Sequence, residues 1–431
     1  MSATAGSKAN ASASFAASSR GSVRPAPATS SRTASRPVRS RPGAKPLVLV
    51  VFGTRPEVIK LAPVLQGLRA SPDLSVSLCA TAQHRQMLDR MLANFELRPD
   101  HDLDLMRADQ DLNAFSARAL PRLQAVLRRV RPDFVLVQGD TTTAFVTALA
   151  AFYERIPVGH VEAGLRSYDR ANPFPEEANR VMISRLCDLH FAPTEIAYRN
   201  LVAEGVAPKS VVQTGNTVVD ALRWAAARPQ GLIDPRLKAA FESLGRGDQA
   251  VVVTTHRREN FGKPLESLCR AFSSLVSRHP RLHLFYPVHM NPKVADNVTR
   301  LLRHPRAHLL PSLDYFDLVQ LLARCRFVLT DSGGLQEEAP SLGKPVLVLR
   351  KVTERPEAVE AGAALLVGTE TSAVVAAASR LLTDEGFYAS MAKGRGIYGD
   401  GRAGARIVDS IRHYFGLARS APAPFVTGSA Q

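Results

Sequence analysis

The sequence predicts an α/β fold of two doubly wound parallel-sheet domains with a ligand cleft between them. Short β-branched runs alternate with amphipathic stretches, and that rhythm restarts once near the middle of the chain. Strands that lack polar alternation and are separated by helices belong to a parallel sheet covered on both faces. In addition, the glycine-rich and charged clusters follow the strand-like runs, where such sheets bind their ligands.

In order, Leu47–Phe52 reads as a buried strand, and Glu57–Leu68 as a helix with Ile59, Val64, Leu65 and Leu68 on one side. Val76–Thr81 is a second strand and Arg85–Phe95 a second helix. Asp111–Arg129 is a longer helix, Phe134–Val137 a strand, Thr143–Tyr153 a helix and Val158–Val161 another strand. After Asn216 the alternation begins again, with strands at Ala250–Thr254, His283–Pro287, Phe327–Thr330 and Pro345–Leu349. Helices at Pro264–Ser277 and Tyr315–Leu322 lie between them. The expected organisation is a basic tail over residues 1–46, a first domain over 47–214 and a second over 215–403. A helix near 404–417 rejoins the first domain, and 418–431 forms a flexible tail.

The 431 residues and 45% apolar content suffice for two full cores. The net charge of +16 would suggest nucleic acid, but half of it sits in residues 1–46. That segment holds 11 Ala, 11 Ser, eight basic residues and no acid; the first acidic residue is Glu57. Such a composition reads as disordered and carries no RNA-binding motif or aromatic platform. No run of about 18 apolar residues predicts a membrane span. Cys79, Cys187, Cys269 and Cys325 are scattered without CxxC spacing, which points to reduced thiols and a cytoplasmic protein.

Ser332-Gly333-Gly334-Leu335-Gln336-Glu337-Glu338 is the most informative stretch. It marks a strand, a glycine turn and a helix start, a geometry that presents backbone N–H groups and a positive dipole end to phosphate. Glu338, one turn on, suits the vicinal hydroxyls of a ribose. In the first half, Gly53-Thr54-Arg55-Pro56-Glu57 with Lys60 fits either a plain turn before Pro56 or a phosphate-facing pair, Arg55 and Lys60. Asp140, in Gln138-Gly139-Asp140-Thr141, fits a helix cap or an acid/base role. Glu162 and Glu176 are read the same way singly. Their occurrence with Asp140 on adjoining strand-end loops favours an acid/base cluster. His256 opens the dibasic His256-Arg257-Arg258, and Arg355 follows a strand in Thr353-Glu354-Arg355-Pro356-Glu357. The loop at Gly53 is neither GxGxxG nor GxxxxGK[ST], and no HExxH accompanies the carboxylates, so neither a nicotinamide cofactor, a P-loop nor a metal is expected.

The segments GTRPE, TAQHRQML, GDTTT, GHVEAGLRS, PEEANR, TGNTVVDAL, HRREN, DSGGLQEEAPSLGKP and TERPEA occur in order over roughly residues 47–415. In this the chain resembles the non-hydrolysing UDP-N-acetylglucosamine 2-epimerases. The resemblance implies a glycosyltransferase-B-like fold of two Rossmann-like halves. It also implies interconversion of UDP-N-acetylglucosamine (UDP-GlcNAc) and UDP-N-acetylmannosamine (UDP-ManNAc), through UDP elimination and re-addition, in a homodimer serving surface polysaccharide synthesis. Carried over by motif, nucleotide contacts fall on Arg55, Lys60, His256, Ser332, Gly333, Gly334, Glu338 and Arg355. Catalytic roles fall on Asp140, Glu162, Glu176 and His256, with no cofactor. A second, activating substrate site falls on Gln83, His84, Gln86, Arg257 and His289. Two departures stand out: Leu318 replaces the aromatic expected near uracil, and Asp109 stands where some members carry an arginine. A hydrolysing relative and a glycosyltransferase of the same architecture remain the alternatives.

Overall fold

In the computed structural model the described residues are 44–428, apart from 82–84, 108–109, 229–231, 289–291 and 354; the side chains of 85–87, 258, 292 and 293 also lie outside the description. Seven strands form the first sheet: β1 (Leu47–Phe52), β2 (Ser75–Ala80), β3 (His101–Asp102), β4 (Phe134–Gln138), β5 (Val158–Val161), β6 (Leu189–Ala192) and β7 (Val211–Gln213). Their order is β3-β2-β1-β4-β5-β6-β7. The second sheet contains β8 (Gln249–Thr254), β9 (Leu282–Pro287), β10 (Ala307–Leu310), β11 (Val328–Thr330), β12 (Val346–Val348) and β13 (Ala364–Leu366), ordered β10-β9-β8-β11-β12-β13. Every neighbouring pair is parallel.

Alternate residues of one strand supply opposite cores. Val48, Val50 and Phe52 pack into one cluster, while Leu49 and Val51 pack into another on the opposite face. In the second sheet, Val251 and Val253 face one way and Ala250 and Val252 the other. That is why neither β1 nor β8 alternates with polar residues: both faces are covered by helices. In each sheet the strand order reverses beside the first strand, between β1 and β4 and between β8 and β11. Crevices open at the carboxyl ends of strands at such reversals, and the charged clusters sit there.

The helix Ala403–Tyr414 returns to the first half. Ile407, Val408 and Ile411 join Leu61 and Leu65 of the helix Arg55–Ala70 in one core. Gly404 permits this approach, because a Cβ there would lie 3.0 Å from the Pro63 carbonyl. Arg412 closes the contact with a 2.8 Å ion pair to Asp73. The segment expected to be a flexible tail departs from that reading: Phe425 is buried and its N–H donates to the Gln213 carbonyl at 2.8 Å. Arg406 donates to the Ala423 carbonyl at 3.1 Å, and Gly428 N–H to the Gly396 carbonyl at 3.2 Å. Among the described residues no helix is long and apolar enough to cross a membrane.

Beyond the sheets, an aromatic joint ties the helix Arg85–Asn94 to elements of the second half. Phe95 stacks on Trp224 at 4.9 Å, Phe316 lies 5.5 Å from Phe95, and Arg228 sits 4.0 Å over Trp224. Phe95→Ala is expected to cost about 3–5 kcal/mol, read as a lowered melting temperature with a change in the emission of Trp224, the chain's single tryptophan. A loss below about 1 kcal/mol would show that this joint adds little.

Candidate active site

The first wall of the cleft begins at the end of β1. A Cβ on Gly53 would overlap the hydroxyls of Thr81 and Thr143, so only glycine lets the chain turn there. Glu57 then fastens the turn: its carboxylate accepts from Gly53 N–H at 2.9 Å, Thr54 N–H at 2.7 Å and the Thr141 hydroxyl at 2.7 Å. Burial pushes the Glu57 carboxyl up despite these donors. The result is a fixed helix start with Arg55 at its first position and Lys60 one turn further on.

Behind Lys60 lies the end of β5. Glu162 is buried, with a left-handed backbone (φ +65°), a conformation costly for a non-glycine residue and most often retained at functional sites. Its carboxylate takes Lys60 Nζ at 2.5 and 2.6 Å, the Gln138 amide at 2.5 Å and the Asn216 amide at 3.1 Å. Burial pushes this carboxyl up; the Lys60 ammonium, with the Arg355 charge and the Asn216 amide, together outweigh it and hold Glu162 below the usual range. The same contact raises Lys60 above an ordinary lysine, although burial works against it.

Asp140 follows β4, the neighbour of β5. Arg180 binds its carboxylate at 2.6 Å and also reaches Glu177 at 3.0 Å, while the Asn179 amide donates to the Asp140 carbonyl at 2.8 Å. Glu176 starts the helix carrying these residues, Glu176–Leu186, and one of its carboxylate oxygens is buried without a hydrogen-bond donor.

The facing wall is built at the ends of β8, β11 and β12. His256 pairs with Asp331 at 3.1 Å, and Asp331 also accepts from the N–H groups of His256 (3.1 Å) and Arg257 (3.0 Å) and from the Asn260 amide (2.9 Å). Burial opposes ionisation of Asp331, but these donors, His256 first, hold its carboxyl down. The Ser332–Gly334 turn leads into the helix Leu335–Ser341. Within it Glu337 pairs with Arg355 and accepts from Asn216 at 2.8 Å. Burial and neighbouring Glu337 push the Glu338 carboxyl up to about 7.

Arg55, Lys60, His256, Ser332, Gly334, Glu338 and Arg355 line one cavity of about 440 Å³, with Gly333 between two lining residues. Its volume is that of a small-molecule site. Leu313, Tyr315 and Leu318 give it an apolar end, so an aliphatic side chain fills the position where an aromatic was expected. Asp140, Glu162 and Glu176 do not line this cavity; Lys60 stands between it and Glu162. Of the proposed second site, Gln83, His84 and His289 lie outside the described residues, as do Asp109 and the Gln86 side chain, while Arg257 is half-buried beside His256. Sequence reasoning did not single out Gln138, Asn216, Asp331 or Glu337. The amide residues carry no charge to attract notice, and the two acids stood beside Ser332 and Glu338, which took the functional reading. Four basic side chains around a walled cavity suit an anion such as a diphosphate, with Glu337 and Glu338 also on its lining and Glu162 behind Lys60. Among the described residues no group of three His, Cys, Asp or Glu is placed to hold a metal ion.

Two facing parallel-sheet domains with a cationic cleft at their strand reversals define a glycosyltransferase-B-like α/β protein. Residues 66–412 match the sequence profile described as UDP-N-acetylglucosamine 2-epimerase. The chain is 46% identical over 370 residues to the UDP-N-acetylglucosamine 2-epimerase of Salmonella typhimurium, covering 85% of this chain and 98% of that one. The crystal structure of UDP-GlcNAc 2-epimerase from Neisseria meningitidis bound to UDP-GlcNAc aligns with a TM-score of 0.78 and 42% identity, over 85% of this chain and all of that one. The Methanocaldococcus jannaschii enzyme, in complex with UDP-GlcNAc and UDP, aligns with a TM-score of 0.69 and 30% identity, over 85% and 99% of the two chains. The chain belongs to the UDP-N-acetylglucosamine 2-epimerase family and is thereby an isomerase.

Proposed function

We propose that this protein interconverts UDP-GlcNAc and UDP-ManNAc without hydrolysing them, by eliminating UDP and adding it back. The observation that carries the reading is the Lys60–Glu162 contact: a cation on the cavity wall bound to a buried carboxylate at the end of β5. In this reading a diphosphate-binding group and a proton acceptor stand next to each other.

The chemistry asks for both. The sugar C2 proton is not adjacent to a carbonyl, so removing it directly is slow. If the anomeric C1–O bond breaks as the proton leaves, charge developing at C1 makes that proton removable. The electron pair of the C2–H bond forms the C1–C2 double bond of 2-acetamidoglucal, and UDP departs with the pair from C1–O. Re-addition of UDP, with a proton delivered to the opposite face of C2, gives the epimer. In this reading Arg55, Lys60, Arg355 and the Ser332-Gly333-Gly334 turn stabilise the growing charge on the diphosphate, and Glu338 receives the ribose hydroxyls. Asp140, Glu162 and Glu176 move protons at C2. His256, tied to Asp331, works at the leaving group. The same reading makes the protein a cytoplasmic homodimer that supplies UDP-ManNAc for surface polysaccharide.

Incubation with UDP-GlcNAc alone in D₂O tests the scheme. UDP-ManNAc should appear with deuterium at C2, and UDP with the glucal should accumulate slowly. Epimer without solvent label would rule out proton transfer at C2, and free N-acetylmannosamine as the main product would identify a hydrolysing enzyme.

A further inference from the structure

One buried amide joins the two walls of the cleft. Asn216 follows β7 and caps the helix Thr217–Ala226, its side-chain oxygen accepting the Val218 N–H at 3.0 Å. That bond fixes which end of the amide faces the cleft. The Nδ2 group must therefore point the other way, where its two hydrogens meet two different carboxylates, Glu162 at 3.1 Å and Glu337 at 2.8 Å. Glu337 in turn holds Arg355, and Glu162 holds Lys60. The chain of contacts Lys60–Glu162–Asn216–Glu337–Arg355 thus begins and ends on a cation of the cavity wall.

Resting on the function proposed above, we propose that Asn216 and Glu337 are positioning residues which lock the Glu162 carboxylate and the Arg355 guanidinium into one unit across the cleft. A diphosphate in the cavity competes for Lys60 and Arg355 together, and so takes the counterions away from Glu162 and Glu337 together. The Asn216 amide remains, keeping both carboxylates in place and apart when they would otherwise repel. A plain helix cap needs none of this; Ser or Asp would cap equally well.

The charged groups facing Glu162 are Lys60 and Arg355, with Asp140 near Lys60, His160 buried neutral below it and Glu337 beyond Asn216. Two conservative variants therefore shift the acid limb of the pH–rate profile in opposite directions. Asn216→Ser keeps the cap but removes a donor that favours the charged carboxylate, so the limb should move to higher pH. Glu337→Gln removes a neighbouring negative charge, so it should move to lower pH. Each should lower kcat on the order of 10–100-fold, the effect of a lost hydrogen bond to a buried charge; Asn216→Ser should melt close to the parent, whereas Glu337→Gln, which leaves the buried Arg355 without its partner, should melt lower. An activity-free arm uses UDP as the probe: in a double-mutant cycle on UDP affinity, Glu337→Gln and Arg355→Gln should be non-additive by about threefold or more. Additive effects on UDP, or Asn216→Ser with the parent's kcat and acid limb, would overturn the relay. A parent that binds UDP with this non-additivity yet leaves UDP-GlcNAc unchanged would sink the proposed reaction and spare the relay.

Discussion

Glu162→Gln should reduce the rate of UDP-GlcNAc epimerisation by about 10²–10⁴, the usual contribution of a positioned general acid or base, while leaving UDP bound. The amide is nearly isosteric, so it can occupy the same turn after β5 and keep its one oxygen toward either Gln138 or Asn216, which donate to different oxygens of the carboxylate. What it loses is the ability to take a proton. Binding should survive because Glu162 lies behind Lys60 and does not line the cavity. Removing its charge frees the ammonium for the diphosphate, so UDP affinity should hold or rise. Arg55→Ala should show the contrasting pattern. Arg55 lines the cavity itself, and losing one preorganised electrostatic contact typically costs on the order of 10²–10³ in turnover, here together with weaker UDP binding. Initial rates, deuterium incorporation at C2 and UDP calorimetry on both variants separate these outcomes. Parent-like turnover in both would remove the cleft as the site of chemistry.

Much of this site was legible because a parallel sheet concentrates its chemistry at strand ends. Once Leu47–Phe52 and Phe327–Thr330 read as buried strands, the residues after them became candidates with no knowledge of the three-dimensional arrangement. The strands at and next to the sheet edges were harder. His101–Asp102 is two residues long, and Leu189–Ala192 and Ala307–Leu310 each carry a histidine within a four-residue run. Such strands exist because a neighbour offers hydrogen bonds, and local sequence does not encode the neighbour. The same limit applied within the site. Arg55 and Arg355 announced themselves by charge, but the pairing of Glu337 with Arg355 depends on β11 and β12 lying side by side, which no spacing rule supplies. Asn216 carried no charge to single it out; in the structure it caps a helix, and its second function lies in the amide hydrogens on the far side of that cap.

Lys60→Met offers a test of the buried pair that does not depend on turnover. The Lys60 and Glu162 side chains are 20% and 6% exposed, so little water screens the contact. Leaving one buried charge without its partner typically costs about 3–5 kcal/mol. The pH dependence follows from the directions of the two shifts. Glu162 is held below its ordinary value of 4.5, so its contribution is complete above that pH and is lost as pH falls through the lowered value. Lys60 is raised above 10.5, so its contribution is complete below that pH and fades as pH climbs through the raised value. Between those limits the parent pair contributes fully. In Lys60→Met the carboxyl loses its main counterion while burial still opposes its charge, so it takes up a proton more readily. The melting-temperature deficit should therefore be large at pH 8 and narrow steadily toward pH 5. Lys60→Met/Glu162→Gln should recover most of the deficit at every pH, because no uncompensated charge remains, yet stay inactive. A small loss that does not vary with pH, or a double variant no more stable than Lys60→Met, would mean that water or another cation already neutralises Glu162, and the coupling of nucleotide binding to a proton acceptor would lose its physical basis.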